Sequence, residues 1–186
     1  MKAIVIDTPG GNKGSISSWL KRGGLEVEVS YSPDIFDKSK IVIFPGNGVF
    51  SKTMEWLRFN SLENSFIKFL KDPNKIYIGI CIGMQILYET GFEGKKTKGL
   101  GILRGDVVKL NRTRIGWEKV KYYDDKFNLE EDFFFMHSFG IKDIKNNLVN
   151  IRSFSGNYLF QFHPEKSGKT GDNLLSSLLF NKIITN

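Results

Sequence analysis

The stretch KIYIGICIGMQILYE, at residues 75–89, decides the predicted fold. Its first half, residues 76–80, is a short apolar run with β-branched residues, which is typical of a buried strand. Its second half, residues 84–88, contains no helix breaker and ends shortly before Gly91, so it predicts a helix that stops at a glycine. The only cysteine of the chain, Cys81, stands at the junction between the strand and the helix.

Two glycines flank this cysteine, each two positions away. The run from Gly79 to Gly83 has the spacing of a nucleophile elbow, in which the nucleophile occupies a sharp strand-to-helix turn. A larger side chain at either glycine would collide with such a turn. The helix N-terminus expected behind Cys81 favours its thiolate form. The alternative is that a lone cysteine is a small buried apolar residue, and only a base elsewhere in the chain decides between the two.

Length and composition predict one cytoplasmic domain. The 186 residues suffice for a single domain with a full core, over residues 1–186. No apolar stretch is long enough to span a membrane, and the N-terminus lacks the apolar core of a signal peptide. One cysteine excludes an internal disulfide, and a cytoplasmic location is the default expectation.

The net charge of +7 comes mostly from dispersed lysines, without an arginine-rich tract or a nucleic-acid motif. We therefore expect no nucleic-acid partner and no membrane partner. A basic surface also suits an acidic protein partner.

The first half of the chain alternates predicted strands with predicted helices. Strands are predicted at residues 2–7, 25–29 and 41–44, and helices at residues 15–21 and 56–70. This order is typical of an α/β fold with a mostly parallel central sheet flanked by helices. Ligands of such sheets bind just beyond the carboxyl ends of the strands.

The second half contains five strand-like segments. They predict antiparallel strands added at the edge of the parallel core, at residues 107–110, 117–122, 133–136, 148–151 and 158–162. A helix predicted at residues 171–184 closes the chain.

The turn after the third predicted strand is a candidate oxyanion loop. Gly46 and Gly48 enclose Asn47, and glycines let a backbone approach a substrate closely with its N–H groups. A second oxyanion donor beside a nucleophile has to come from such a loop. Pro-Gly and Asn-Gly are also ordinary turn formers, so a plain turn is the alternative.

The chain has two histidines, His137 and His163, each after an apolar run. Pro164 keeps His163 out of helical backbone. Glu165 follows two residues later, so in an extended segment both side chains project from one face. A carboxylate there accepts the Nδ1–H bond and leaves Nε2 to take the proton of Cys81. Cysteine, histidine and glutamate in these roles form a catalytic triad, although a single histidine at a strand end is more often structural.

The second histidine belongs to the run His137-Ser138-Phe139. One interpretation is a second acid–base group. We favour a substrate-binding turn, in which backbone groups near Ser138 and Phe139 meet the substrate. A loop that packs under the active site is the remaining alternative.

These motifs together resemble a known family. The runs GICIGMQ at 79–85 and QFHPEKS at 161–167 are similar to those of the class I, or triad, glutamine amidotransferases. Within this class the chain is most similar to the glutaminase subunits of imidazole glycerol phosphate synthases. That similarity rests on HPEKSG at 163–168, on Gly-Trp at 116–117, on the glycines at 99, 101 and 105, and on the runs 45–50 and 137–139. It covers essentially the whole chain.

The resemblance implies a flavodoxin-like glutaminase fold and hydrolysis of L-glutamine. Cys81 would attack the side-chain amide carbon after His163, oriented by Glu165, takes its proton. His163 would then protonate the leaving ammonia, and water would hydrolyse the thioester to glutamate. The resemblance implies a reaction without a cofactor or a metal.

The resemblance also assigns binding groups. The backbone N–H of Ile82 and one from the loop at 46–48 would hold the oxyanion. Gln85, Ser138 and Phe139 would help to hold glutamine. The ammonia would pass through a channel into a (β/α)8-barrel cyclase or synthase subunit of a heterodimer, which makes imidazole glycerol phosphate in histidine biosynthesis. Such glutaminases are typically weak without this partner.

The chain departs from the family pattern in three places. Thr8 follows Asp7 where an aromatic residue is usual, and Asn47 stands where a small apolar residue is more common. The run RTRIGWE at 112–118 lacks the usual Pro-His before Gly-Trp and the Asn after it. Because this last segment lies where the family meets its partner, the alternative is a paralogous glutaminase that supplies ammonia for amidino groups on a bacterial surface sugar.

Three further classes of function compete. A non-catalytic partner subunit could keep the fold, but the intact set of Cys81, His163 and Glu165 argues against it. A cysteine peptidase or related flavodoxin-like hydrolase tends to place histidine directly after the nucleophile, where this chain has Ile82. A nucleic-acid-binding module is suggested by the charge alone.

Overall fold

The computed structural model describes residues 1–123, 128–142 and 147–183, with side chains described as far as residue 179. Over these residues the alternating apolar and amphipathic runs form ten strands, six α-helices and a short 3₁₀ helix. The strands are β1 (Lys2–Ile6), β2 (Glu26–Ser30), β3 (Ile41–Phe44), β4 (Ile76–Ile80), β5 (Thr90–Gly91), β6 (Thr97–Lys98), β7 (Asp106–Tyr123), β8 (Asn128–Ile141), β9 (Ile151–Phe154) and β10 (Asn157–Phe160). The helices are α1 (Lys13–Arg22), α2 (Ile35–Lys38), α3 (Phe50–Phe59), α4 (Glu63–Lys71), α5 (Ile82–Gln85), the 3₁₀ helix Pro164–Lys166 and α6 (Gly168–Ile183).

The central sheet has six strands in the order β2-β1-β3-β4-β10-β9. Its pairs are parallel except for β9, which is the antiparallel edge strand. Every residue of β3 and β4 is buried, as expected for strands that are covered on both faces. Since β4 and β10 are neighbours, the loops that follow them leave the same edge of the sheet side by side.

Helices cover both faces of this sheet. On one face, Trp19 of α1 and Leu175 of α6 pack in the same core cluster as Ile43. On the other face, Leu57 of α3 and Phe66 of α4 pack with the alternate side chains of β3. The predicted class, an α/β fold with a mostly parallel sheet flanked by helices, is confirmed.

A second sheet has four strands in the order β6-β5-β7-β8, and the long antiparallel pair β7–β8, here called the ribbon, dominates it. Predicted strands at 107–110 and 117–122 are two parts of β7, and the one at 133–136 lies within β8. They belong to this sheet and not to the edge of the parallel core. The polar run at 111–114 shifts the register without ending the strand, which explains why the sequence suggested two strands.

The last two predicted strands have a different outcome. The strand predicted at 158–162 is β10, which pairs parallel to β4 inside the central sheet. Residues 148–150, predicted as part of a strand, do not form one. Leu148 forms only an isolated bridge with Lys142. The antiparallel strand β9 begins at Ile151 instead.

Two helix predictions also change. The single helical region predicted at 56–70 is two helices, because Ser61 between them has a positive φ of 56°, which breaks the helix. The last helix begins at Gly168, three residues before the predicted start, and residue 184 of the predicted range lies outside the described residues. Among the residues described, none of the helices combines the length and the apolar character needed to cross a bilayer.

Candidate active site

Cys81 occupies a strained turn at the end of β4. Its φ of 49° and ψ of −105° lie outside the regions that non-glycine residues prefer. Its N–H donates a 2.7 Å hydrogen bond to the carbonyl oxygen of Phe160, which ties the turn to β10. The geometry is that of a nucleophile elbow.

The two glycines of the elbow are required by space. A Cβ atom at Gly79 would lie 2.7 Å from the carbonyl oxygen of Gly83. A Cβ atom at Gly83 would lie 2.7 Å from the carbonyl oxygen of Phe44 on the neighbouring strand. Both distances are shorter than a nonbonded contact allows, so the backbone would have to shift.

The helix behind Cys81 is shorter than predicted. α5 ends at Gln85, and the prediction of a helix through residue 88 is wrong. The carbonyl oxygens of Ile86, Leu87 and Tyr88 accept hydrogen bonds from the N–H groups of residues 100–103 and not from a continuing helix. A single helical turn supplies little macrodipole, so stabilisation of a thiolate at Cys81 has to come from neighbouring groups.

His163 and Glu165 form a buried pair beside the elbow. The Nδ1 atom of His163 lies 2.9 Å from Oε1 of Glu165, and the side chains of both residues are fully buried. The two residues do not lie in the predicted extended segment, because Pro164 starts a 3₁₀ helix immediately after His163. The histidine backbone is fixed further by its N–H, which donates to the carbonyl oxygen of Phe134, and by the hydroxyl of Ser167, which donates to the His163 carbonyl oxygen.

The imidazole of His163 adjoins Cys81. A Cβ atom at Gly46 would lie 2.6 Å from Cε1 of His163 and 3.4 Å from Cβ of Cys81, so the three residues meet at one point. Burial alone lowers the His163 pKa, but the Cys81 sulfur and the Glu165 carboxylate outweigh it and raise the pKa to about 9. The Nε2 atom is buried and, in the described part of the chain, lacks a hydrogen-bond partner of ordinary geometry. Such an atom is placed to exchange a proton with a thiol or a substrate.

The candidate oxyanion loop at residues 46–48 lies next to Cys81 and His163. Asn47 has a left-handed φ of 66°, which asparagine tolerates better than most residues. Gly46 is buried against His163, whereas Gly48 is exposed. Ile82 is the first residue of α5, so its N–H has no partner within the helix and remains available as a donor.

A cleft of about 300 Å³ opens over Cys81, at the small end of the range for ligand pockets. It unites most of the predicted binding residues, and it is lined by Asn47, Gly48, Val49, Cys81, Gln85, Glu93, Met136, His137, Ser138 and Phe139. Four predicted residues do not line the cleft, namely Gly46, Ile82, His163 and Glu165.

Glu93 is a functional candidate that the sequence reasoning missed. It lines the cleft from the connection between β5 and β6, and its Oε2 atom accepts a 3.0 Å hydrogen bond from the N–H of Phe50. Burial raises its pKa. In the sequence it lies in the glycine- and lysine-rich run at 91–101, which has the composition of a surface loop. The only signal in the sequence is that Glu93 is the one acidic residue of this run, between Gly91 and Gly94.

Gln85 connects the cleft wall to the elbow. Its Nε2 atom donates to the carbonyl oxygen of Phe139 at 2.8 Å and to Oε1 of Gln161 at 3.1 Å, so its amide protons are used inside the protein. Gln161 in turn lies 3.6 Å from the sulfur of Cys81 through its own amide nitrogen. Gln161 had no role in the sequence interpretation.

His137 differs from His163 in its electrostatics. Its Nδ1 donates to the carbonyl oxygen of Phe139 at 2.8 Å, which leaves Nε2 as a buried acceptor. Burial is the main cause that lowers its pKa, to about 4. The bond to Phe139 opposes this and is the next largest effect, while Arg114 and His163 lower the pKa further and Glu118 raises it slightly. His137 is therefore neutral near pH 7, which argues against an acid–base role.

The prediction that residues 137–139 form a turn is wrong, because they belong to strand β8, opposite the irregular part of β7. They nevertheless line the cleft, as a substrate-binding segment would.

A larger cleft of about 530 Å³ lies between β7 and the residues that flank β9. It is lined by Leu110, Asn111, Arg112, Arg114, Glu118, Lys119, Lys142, Asn147, Leu148 and Asn150. None of these is a predicted catalytic residue, whereas the predicted nucleophile Cys81 lines the smaller cleft.

A cysteine on a strained elbow, next to a buried histidine–glutamate pair on a parallel sheet, defines an acyl-transfer enzyme with a cysteine nucleophile. The family model described as glutamine amidotransferase class-I matches residues 4–185, and the chain belongs to this family. The resemblance inferred from the motifs is therefore confirmed, and the chain is a glutamine amidotransferase.

Individual relatives agree with this assignment. The imidazole glycerol phosphate synthase subunit HisH of Saccharolobus solfataricus is 36% identical, over 96% of this chain and 97% of that protein. The subunit of the same name from Sulfolobus acidocaldarius is 34% identical, again over 96% and 97%. A crystal structure of a glutamine amidotransferase matches with a TM-score of 0.74 over 96% of this chain and 97% of that one, and at 16% identity it supports the fold alone.

Proposed function

We propose that this chain is the glutaminase subunit of an imidazole glycerol phosphate synthase in histidine biosynthesis. It hydrolyses L-glutamine and passes the ammonia to a (β/α)8-barrel cyclase subunit in a cytoplasmic heterodimer. The observation that supports the chemistry best is the strained Cys81 beside the buried pair of His163 and Glu165. The names of the relatives support the pathway. The proposal treats residues 1–186 as one amidotransferase domain, in line with the family match over 4–185.

The proposed mechanism uses the triad as a proton shuttle. His163 takes the thiol proton at Nε2 while Glu165 holds Nδ1, and the thiolate of Cys81 attacks the amide carbon of glutamine. The N–H of Ile82 and an N–H from the loop at 46–48 hold the oxyanion. The imidazolium then protonates the leaving nitrogen, so that ammonia and a glutamyl thioester form. Water, deprotonated by His163, attacks the thioester, which releases glutamate and restores the thiol.

Glutamine recognition would fall to the cleft wall. The α-ammonium of glutamine is a cation, and Glu93 is an acidic side chain that lines the cleft. The segment 137–139 of β8 supplies backbone groups on the same wall, and Gln85 fixes that segment through Phe139. We therefore assign Glu93 to the ammonium, and we assign Gln85 to positioning this segment more than to binding glutamine directly.

An exposed apolar face beside the cleft supports a protein partner. Ile115 and Trp117 on β7 are 71% and 56% exposed and stand opposite Met136 and Phe134 on β8, so the four side chains share one face of the ribbon. Met136 also lines the cleft, and Val49 on its opposite wall is 41% exposed. A partner docked on this face would cover the mouth of the cleft and keep ammonia from solvent.

The variant Cys81→Ala tests the proposal in the complex with the barrel subunit. We expect glutamine-dependent synthesis to be abolished and ammonia-dependent synthesis to be largely retained, because only the nucleophile is lost. Loss of both activities would mean that Cys81 serves folding or docking. A wild-type complex that uses ammonia but not glutamine would favour the non-catalytic alternative.

The run RTRIGWE at 112–118 is the observation that favours the second candidate, a glutaminase for sugar amidination. The molecule that accepts the ammonia distinguishes the two candidate functions. A partner that converts a phosphoribosyl substrate into imidazole glycerol phosphate with this subunit and glutamine supports the histidine pathway. Product formed only with a surface-sugar amidating partner would support the alternative.

A further inference from the structure

The cleft wall at residues 137–139 lacks the regular support of a sheet. Lys109 of β7 pairs with Phe139, and Arg114 pairs with His137. Four residues of β7, at 110–113, therefore face the single residue Ser138. Such a bulge interrupts the ladder of backbone hydrogen bonds and re-aims side chains, and bulges are frequent next to active sites. The wall must be held by side chains instead.

Arg114 is the largest of these supports. The residue is only 6% exposed, and its guanidinium donates to both carboxylate oxygens of Glu118, with 2.7 Å as the shortest distance. It also donates to Oδ1 of Asn150 at 2.7 Å, and its central carbon lies 3.8 Å from the ring centroid of Phe135. A buried cation with both an ion pair and a stacking partner has one fixed position.

This fixed cation lies directly beside the wall. Arg114 is the cross-strand neighbour of His137, and its charge is one of the causes that keep the imidazole neutral. The neutral ring donates from Nδ1 to the carbonyl oxygen of Phe139, which links the two ends of the segment 137–139. The other charged or titratable groups that act on His137 are Glu118 and His163.

A second contact joins the bulge to the wall. The hydroxyl oxygens of Thr113 and Ser138 lie 2.9 Å apart, so the residue before Arg114 is hydrogen-bonded to the middle of the segment 137–139. The bulge therefore meets this segment of β8 from two successive residues, Thr113, which is exposed, and Arg114, which is buried.

We propose that Arg114 is a positioning residue for glutamine binding: held by Glu118 and Asn150, it supports His137 and, together with Thr113, fixes the segment 137–139 of β8 that forms one wall of the cleft. This inference rests on the proposed glutaminase function. It assigns a purpose to the Arg-Thr-Arg run that departs from the family pattern. Because Arg114 does not touch Cys81, His163 or Glu165 in the contacts of the described residues, it acts on substrate affinity and not on the chemical step.

Arg114→Met tests the proposal, with Arg112→Met as the matched control, since Arg112 is an exposed arginine two residues earlier on the same strand. In the complex with the barrel subunit we expect Arg114→Met to raise the KM for glutamine about tenfold with kcat changed less than about twofold. Arg112→Met should leave both unchanged. An equal rise in KM for both variants, or an unchanged KM in Arg114→Met, would overturn the proposal.

Labelling of Cys81 separates this inference from the proposed function. A chloromethyl ketone analogue of glutamine should label the wild type in a saturable way, and Arg114→Met should need about tenfold more reagent for half-saturation. Iodoacetamide, which has no glutamine moiety, should react equally fast with both. Absence of saturable labelling in the wild type would count against the glutaminase function itself. Saturable labelling that is identical in wild type and Arg114→Met would overturn only the role of Arg114.

Two further variants keep the test decisive if Arg114→Met does not fold. Arg114→Lys keeps the charge but not the two-pronged bond to Glu118, so we expect an intermediate KM. Thr113→Val changes an exposed residue and removes only the bond to Ser138, with an expected rise in KM of about threefold. An unchanged KM in both would reject the proposal.

Discussion

The two sheets of this protein contribute to the cleft in different ways. The six-stranded sheet supplies Cys81 and His163 from the ends of the adjacent strands β4 and β10, and both strands are buried. The four-stranded sheet supplies the opposite wall, with Glu93 between β5 and β6 and the segment 137–139 of β8 opposite a bulge. The first region is fixed by a parallel sheet packed on both faces, and the second by a few side-chain bonds on an exposed ribbon.

The two histidines express the same contrast. His163, on the six-stranded sheet, has its pKa raised to about 9 by its contacts with a sulfur and a carboxylate, which outweigh burial. His137, on the four-stranded sheet, has its pKa lowered to about 4, mainly by burial. One is built to hold a proton and the other to remain neutral. The difference suggests that the first sheet performs the chemistry and the second recognises the substrate.

The largest effect should come from Glu165, the carboxylate behind the proposed catalytic base His163. Glu165→Gln removes the charge that holds Nδ1 of His163 and allows the wrong tautomer, so we expect kcat for glutamine to fall about a thousandfold with KM changed little. Steady-state glutaminase kinetics in the complex would measure this. Glu131→Gln, an exposed glutamate on β8, is the control. A turnover number equal to that of the wild type would remove Glu165 from the mechanism.

A steric change at Gly46, which lies beside His163, should lower turnover less than Glu165→Gln does. In Gly46→Ala the new Cβ would lie 2.6 Å from Cε1 of His163, and the ring cannot yield easily because Glu165 and burial hold it. We expect turnover to fall about a hundredfold, since a displacement of this size disturbs the alignment of base and nucleophile. The control is Gly14→Ala in α1, where a Cβ meets nothing within 4 Å. Full activity in Gly46→Ala would contradict the close packing of loop and triad.

A change on the opposite wall should alter affinity instead. Glu93→Gln keeps an oxygen for the N–H of Phe50 but loses the negative charge, so we expect the KM for glutamine to rise about tenfold while kcat stays within about twofold. If kcat fell and KM did not change, Glu93 would belong to the chemistry, and the division of labour between the sheets would be wrong.

The first region was largely predictable because its motifs are local. Gly79, Cys81 and Gly83 lie within five residues, and a two-residue step joins His163 to Glu165. The spacing alone predicted the elbow and the contact between ring and carboxylate, although the connecting backbone is a 3₁₀ turn and not an extended strand. The short length of α5 escaped prediction because residues 100–103, distant in sequence, take the carbonyl groups that a longer helix would use.

The second region was poorly predictable because its structure depends on pairing across the chain. The run at 111–114 is polar in sequence and suggests a break, but pairing with β8 turns it into a bulge within one strand. Glu93 resembles any acidic residue of a surface loop until α3 and the ribbon sheet enclose it. Glu93 therefore needed the structure, whereas residues 137–139 were already candidates in the sequence and only their strand conformation was missed.

The smallest effect that we expect is a change in how stability depends on pH. The folded-state pKa of His137, about 4, lies below the value of about 6.5 for an unfolded chain, so its contribution is present above pH 6.5 and is lost as pH falls toward 4. The raised pKa of His163 acts in the opposite direction, since its contribution is complete below pH 6.5 and is lost as pH rises toward 9. Between pH 7 and 5.5 the His137 contribution should fall by about 1 kcal/mol. Urea unfolding of the wild type and of His137→Gln over this range would measure it: the variant should lack this acid-side loss. If the unfolding free energies of wild type and variant had the same pH dependence, His137 would be protonated in the folded protein as easily as in the unfolded chain. Burial would then not keep this histidine neutral, and the contrast with His163 would fail.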